Sequence, residues 1–368
     1  MKKILLSLLA IAAFALNSSA QGYYMVVTHE DGTVDSVMTT AVKNVSFSMI
    51  QDQNADQVII KELYNGGCPK DVGTDYFQQD KGCILYNNSN KTAVLNNLCF
   101  GIIDPYNSQA PSNDWYDANG ALRYESEGYI PATGGMWWFQ QALVIKPYSQ
   151  VVVSFMGSID NTQTHSQSVN YANKDYYCMY DPEAGFHNKN YYPSPSEVIP
   201  TSHYLKGALI SMQNAWAVSV TSPAFMIFQT KDSSPAAFAA NADNEVYAPK
   251  WQGTQAFRCL KVPREWVLDG IEIFTTSSTE NKKRFTSDID AGSVSLTNKL
   301  GHTLYRNVDK AATEALPENA GKLVTGYAKD PSGIDAEASI KNGAHIIYMD
   351  TNNSTNDFHE RDKFSIRN

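Results

Sequence analysis

In DKGCILYNNSNKTAVLNNLCFGIID, from Asp80 to Asp104, apolar residues alternate with polar ones, break at a cluster of Asn, Ser and Lys, and resume. The pattern predicts a β-hairpin closed at Asn87-Asn88-Ser89-Asn90, residues that tolerate positive φ and form Asx-type turns. Similar runs recur along the chain. YYMVVTHEDGTVDSVM gives two strands around Asp31-Gly32, a hairpin turn signal, and AVKNVSFSM (41–49) a third extended run. VIIKELYNGG (58–67) reads as a strand ending in a glycine turn, and ALVIKPYSQVVVSF (142–155) as extended chain interrupted at Lys146-Pro147. AWAVSV (215–220) and AFMIFQT (224–230) read as a hairpin across Thr221-Ser222-Pro223. AFRCLKVPREWVLDGIEIF (256–274) supplies two strands around Pro263, and SVSL, HTLYRNV and HIIYMD the last ones. Ser234-Pro235 before AAFAANAD predicts a short helix, with Ser as N-cap and Pro at the first helical position. Short strands separated by turn signals predict an all-β sandwich or barrel, with at most one or two short helices.

Breaks in this pattern divide the chain. Residues 1–20 combine basic Lys2 and Lys3, an apolar run from Ile4 to Leu16, and small residues ending at Ala20, the layout of a secretory signal peptide cleaved near Ala20. Residues 21–50 form a small β-hairpin appendage, too short to bury a core. The polar stretch 51–57 reads as a linker, and 58–368 as the main β domain. Two long stretches, 104–140 and 156–206, have loop composition; loops of that length carry function or are ordered by local packing.

Composition narrows the function. The formal net charge is −9, or −11 once Lys2 and Lys3 leave with the signal peptide, and no basic cluster exists. Nucleic acid is therefore excluded as a partner, since phosphate contacts dominate such binding. No segment after the signal is long and apolar enough to cross a membrane. The expected location is exported: periplasm, cell surface or extracellular. Five cysteines, Cys68, Cys83, Cys99, Cys178 and Cys259, contain no C-x-x-C. An odd count leaves at least one thiol unpaired, and a bridge from Cys68 to Cys83 or Cys99 is a hypothesis to test.

Catalytic motifs are missing: there is no G-x-S-x-G, no H-E-x-x-H and no Walker loop. His165, His187 and His203 accompany Asp160, Asp175 and Asp181 in the second long loop, but their spacing matches no metal signature. SDIDAG (287–292) lacks the third acidic ligand and terminal Glu of a calcium loop and reads as a turn. No metal and no cofactor are expected. The candidate binding residues are aromatic: Trp115, Trp137, Trp138, Tyr176, Tyr177, Tyr191 and Tyr192, on predicted loops or strand ends. Flat rings stack on sugars, peptides or macrocycles when exposed, and pin loops to the scaffold when not.

Several motifs carry a family resemblance. VIIKELYNGGCP and GCILYNNSNKTAVLNNLCFG open the pattern, DNTQTHSQSVNYANKDYYCMYD and LKVPREWVLDGIEIF continue it, and GHTLYRNVD with IIYMDTNNSTNDFHERDKFSIRN closes it. Together, over about residues 58–368, they resemble the Bacteroidota domain of unknown function 4876, with a lamin-tail-like character. The resemblance implies an immunoglobulin-like (lamin-tail-like) β-sandwich with long loop insertions, and no known activity. Ile84, after Cys83, stands where the pattern has a Glu before Leu-Tyr-Asn. The expected function is an exported, non-enzymatic binding or interaction protein, with a protein, glycan or small-molecule partner at the cell envelope. Alternatives are an accessory capturing ligand for an outer-membrane, TonB-dependent type of uptake system, and a hydrolase with an unrecognised carboxylate pair.

Overall fold

The structure, a computed structural model, describes residues 23–28, 33–43, 51–110, 115–254 and 257–367. The chain divides into two units, residues 1–49 and 50–368. In the first, β1 (Tyr24–Thr28) and β2 (Val34–Met38) pair antiparallel, from Tyr24 opposite Met38 to Thr28 opposite Val34. Their valines lie exposed, as a lone two-stranded sheet dictates. The signal peptide and the Asp31-Gly32 turn lie outside the described residues, as does most of the expected third run, of which 39–41 form a 3-10 turn.

The second unit is mostly β. Its strands are β3 (Val58–Tyr64), β4 (Cys68–Pro69), β5 (Tyr76–Phe77), β6 (Gly82–Asn87), β7 (Ala93–Leu95), β8 (Leu98–Ile102), β9 (Tyr129–Thr133) and β10 (Gly135–Trp138). Then come β11 (Leu143–Ile145), β12 (Gln150–Ser154), β13 (Tyr177–Met179), β14 (Tyr204–Leu209), β15 (Ala224–Gln229) and β16 (Glu245–Tyr247). The last are β17 (Arg258–Pro263), β18 (Val267–Phe274), β19 (Val294–Ser295), β20 (Thr303–Arg306) and β21 (Phe358–Arg361). Twelve of them form one mixed sheet in the order β19-β18-β15-β8-β10-β14-β13-β12-β6-β3-β20-β21. The sheet curls until its two sides meet. Asp269 of β18 accepts from the Ile60 amide of β3 at 2.7 Å and pairs with the Arg306 guanidinium of β20.

The curl encloses the main core. Val58, Ile60 and Leu63 of β3 face Phe100 of β8, Phe225 and Ile227 of β15 and Ile271 of β18 within it. A second core, with Ile130, Val262, Met226 and Phe285, lies under the small sheet β16-β17-β9. All seven residues of β3 are buried, because Ile59 on its other side packs against Tyr86, Tyr305 and Tyr348. That explains why VIIKELY reads as a continuous run rather than an alternation.

Five expectations are corrected. The stretch Asp80–Asp104 is not a hairpin: β6 pairs with β3 and β12, β7 with β11, and β8 with β10 and β15. Both edges of β6 are occupied, and the Asn87 side-chain amide donates to the carbonyls of Lys91, Ile145 and Lys146, shaping a crossover. AWAVSV is not a strand, and HIIYMD contributes a single bridge, Val308 with Tyr348. Short helices exceed two: α1 (Pro235–Ala240), α2 (Lys310–Glu314), α3 (Ala336–Lys341) and α4 (Ser354–Asp357), each started by a side-chain cap. The first is the helix expected from Ser234-Pro235. All five cysteines are buried and unpaired, so neither proposed bridge from Cys68 exists. The stretch 51–57 is fastened down: Gln53 bridges Val94, and Asp52 accepts from the Asn96 amide at 2.6 Å. Among the described residues no helix is long and apolar enough to cross a membrane.

Candidate functional site

Two adjoining clefts share His187. The larger holds about 670 Å3, and its walls include Tyr106, Asn188, Tyr191, Met212, Gln213 and Asn214, with Ala215 and Ala217 behind them. The smaller, about 310 Å3, is lined by Tyr180, Asp181, Phe186, Lys189, Tyr192 and Ser194, among others. Their walls come from the second long loop and the stretch that follows β14, with Tyr106 of the first long loop added to the larger cleft.

Local hydrogen bonds shape this loop. Asn188 makes an Asx turn, its side-chain oxygen accepting from the Asn190 amide at 3.0 Å while its carbonyl takes the amides of Tyr191 and Tyr192. Asn188 also ties the two lips together. Its amide donates to the Asn214 carbonyl at 3.1 Å and its side chain to Asn214 Oδ1 at 3.3 Å. His187 Nδ1 donates to the Gly185 carbonyl at 2.8 Å, which fixes the orientation of the ring at the cleft wall.

The back of the larger cleft is the misread strand. AWAVSV has strand-like composition, but side chains satisfy its backbone instead of a neighbouring strand. The Trp216 amide donates to the Tyr192 hydroxyl at 2.9 Å, and Asn65 donates to the Ser219 carbonyl at 2.9 Å. The Lys81 ammonium donates to the Val218 carbonyl. Lys81 is wholly buried with no carboxylate partner, and burial pulls its amine down to about 7. Desolvation pushes the Tyr106 phenol up to about 12 and raises those of Tyr191 and Tyr192, whose own hydroxyl is taken up by the Trp216 backbone.

The structure sorts the seven aromatic candidates. Trp115 is buried, its indole donating to Asp104 at 2.8 Å, and Trp137 is buried against Phe186 at 5.1 Å. Trp138 packs on the second core, Tyr176 on the cluster around Phe364, and Tyr177 stacks on His203 at 4.1 Å. Tyr191 and Tyr192 reach the clefts. Of the three loop histidines, His187 lines the clefts, while His165 packs at a tilt on Phe77 and His203 stacks on Tyr177. Among the described residues, no group of three His, Cys, Asp or Glu is placed to hold a metal. Asp290 of SDIDAG is a buried staple, accepting from the backbone of Glu272, Gly292 and Ser354. Sequence reasoning missed Tyr106, Met212, Asn214 and Lys81; only the polar pair Asp80-Lys81 abutting an apolar run carried any signal.

The family model for DUF4876, a protein of unknown function, matches residues 146–365. The chain belongs to that family. A crystal structure of a DUF4876 family protein from Bacteroides thetaiotaomicron, at 2.50 Å resolution, is similar, with a TM-score of 0.59. The two share 17% identity, over 89% of this chain and 72% of that one, a likeness of fold. No curated protein matches. The DUF4876 span contains His187, Asn188, Tyr191 and Asn214 but not Tyr106, Lys81 or Asn65. Glu62 lies in β3, just before Leu63 and Tyr64. Glu62 is wholly buried there, accepting from the Ser365 amide at 3.0 Å, and burial pushes it up to about 7.

Proposed function

We propose that this DUF4876 protein is an exported, non-catalytic binding protein that takes an uncharged, hydroxyl-rich partner, a segment of glycan, in the larger cleft beside His187. One observation carries this reading: the larger cleft is walled by phenol rings, a thioether and three primary amides, with no acid, lysine or arginine. Amides both donate and accept, matching hydroxyl groups, while rings stack on the apolar faces of sugars. Anionic or cationic ligands would lose their hydration there without a countercharge. The same residues lack the carboxylate pair that glycoside hydrolysis requires, which supports binding over turnover. The basic end and apolar run of residues 1–20 support export. As scaffold we infer an elaborated immunoglobulin-like, lamin-tail-like sandwich. Supporting it, β3-β6-β12 lie on one side of the core and β8-β15-β18 on the other, with Phe155 and Phe225 rings meeting at 5.3 Å.

Native affinity gels containing neutral polysaccharides test the reading. Retardation of the full chain is expected, reduced at least tenfold in affinity by Tyr191→Ala or Asn214→Ala. Equal retardation of wild type and both variants, or retardation by acidic polymers alone, would refute it.

A further inference from the structure

The Asx turn at Asn188 separates two clefts of unlike chemistry. Asn188 and Tyr191 line the larger one, Lys189 and Tyr192 the smaller, and His187 reaches both. The smaller cleft, about 310 Å3, has the rings of Phe186 and Tyr192 and the prolines Pro182 and Pro193 in its walls, and no primary amide. The Trp137 ring backs both aromatic rings, 5.1 Å from Phe186 and 5.5 Å from Tyr192, so this apolar surface is continuous with the main core. The Tyr192 hydroxyl is held by the Trp216 backbone, and the Tyr180 and Ser194 hydroxyls pair with each other at 3.4 Å. Two charged side chains complete the lining, Asp181 buried and Lys189 exposed. Asp181 Oδ1 accepts from the Glu183 amide at 3.2 Å and the Lys206 ammonium at 3.4 Å, and Oδ2 from the Gly207 amide at 3.2 Å. Oδ2 therefore keeps capacity to accept a further bond, and Lys206 already supplies the countercharge.

We propose that the smaller cleft binds the acetamido group of an N-acetylated amino-sugar unit, in a glycan whose neighbouring unit sits in the larger cleft. The inference rests on the glycan reading above and extends it past His187. An acetamido group has three parts, and the cleft complements each. Its methyl group buries against Phe186, Tyr192 and the prolines, its N–H donates to the Asp181 carboxylate, and its carbonyl accepts from the Lys189 ammonium. A plain sugar hydroxyl would give up water to rings and prolines, with no primary amide to replace it. A free ammonium in the same place gains little from Asp181, which Lys206 neutralises, and meets Lys189 as a like charge. An acidic group would find Lys189 but face the Asp181 carboxylate. The larger cleft, walled by amides, suits hydroxyls, so the two clefts together select a neutral chain that carries an N-acetyl group.

Calorimetric titration of the full chain with three oligosaccharide ladders decides it: chitin oligomers, their fully de-N-acetylated forms, and cellulose oligomers of the same lengths. Chitin oligomers should bind about tenfold tighter than cellulose oligomers, and the de-N-acetylated ladder no tighter than cellulose. Equal affinities, a preference for the de-N-acetylated ladder, or no binding of chitin oligomers overturns the proposal. Asp181→Asn should reduce the chitin preference at least threefold, and so should Lys189→Met, an exposed position that keeps the test open if the first variant does not fold. A full preference in a folded Lys189→Met chain overturns the proposal as well. Tyr191→Ala, in the larger cleft, should weaken the chitin and cellulose ladders by similar factors and leave their ratio unchanged. Loss of the preference while Tyr191→Ala still weakens both would sink this inference alone. A preference that persists while Tyr191→Ala changes neither affinity would instead sink the reading of the larger cleft and leave the acetamido site standing.

Discussion

Lys61 and Lys81 are both buried, and their surroundings could hardly differ more. The Lys61 ammonium in β3 lies 2.7 Å from Glu337 and 2.7 Å from Gln150, beneath the rings of Tyr305, Tyr348 and Tyr86 at 5.3 to 5.8 Å. It has a countercharge and a cage of π faces, which together replace the water it gave up. Lys81 has the Val218 carbonyl and no acid. The first lysine belongs to a closed network joining β3 to α3. The second props the back wall of an open cleft, where burial without a countercharge lowers the amine's hold on its proton.

The contrast breaks most visibly at Lys61. Lys61→Met strands the Glu337 carboxylate and should cost about 3–5 kcal/mol in urea unfolding. A loss below about 1 kcal/mol would mean the cage is ornamental. At Lys81 the sign reverses. Its folded value of about 7 lies below the free value of 10.5, so between those limits the unfolded chain binds the extra proton. Stability contributed by this site should therefore rise with pH above 7, by up to about 1.4 kcal/mol per unit. Lys81→Met should flatten that rise; a profile unchanged in the variant would show that the amine titrates normally. Glu62 gives the smallest and opposite effect. Its folded value of about 7 exceeds the free value of 4.5, so the folded chain holds the extra proton between them. Stability should fall by about 1 kcal/mol per unit as pH rises through that window. Glu62→Gln should remove the fall, and urea midpoints at pH 5 and 7 read the difference.

How much of this was legible follows the range of the interactions. Strand segments such as 58–64 and 224–229, and the Ser234-Pro235 cap, depend on residues a few positions apart and could be read directly. Partners could not. The alternation in Asp80–Asp104 is compatible with a hairpin, and only the arrival of β3 and β12 on either side of β6 rules it out. AWAVSV failed for a related reason, because Lys81, Asn65 and Tyr192 reach it from distant segments and take the place of a ladder. The aromatic stretch 156–206 was recognisable as unusual, yet exposure decides which ring can touch a ligand. Trp137 and Tyr191 look alike in sequence, and one is core while the other faces a cleft. Family membership was readable from linear motifs, which record the scaffold rather than its surface chemistry.

The order in which the sheet can be assembled is constrained by its pairing. β3, near residue 60, sits between β6 and β20, and the Thr303 hydroxyl reaches the Leu63 carbonyl across 240 positions of chain. Ser365 closes on Glu62 from farther still, 303 positions away. An N-terminal fragment therefore has strands without neighbours and a core open on one side. Such contacts place a large loop-closure entropy ahead of the stabilising step, so the chain folds slowly and only near its full length.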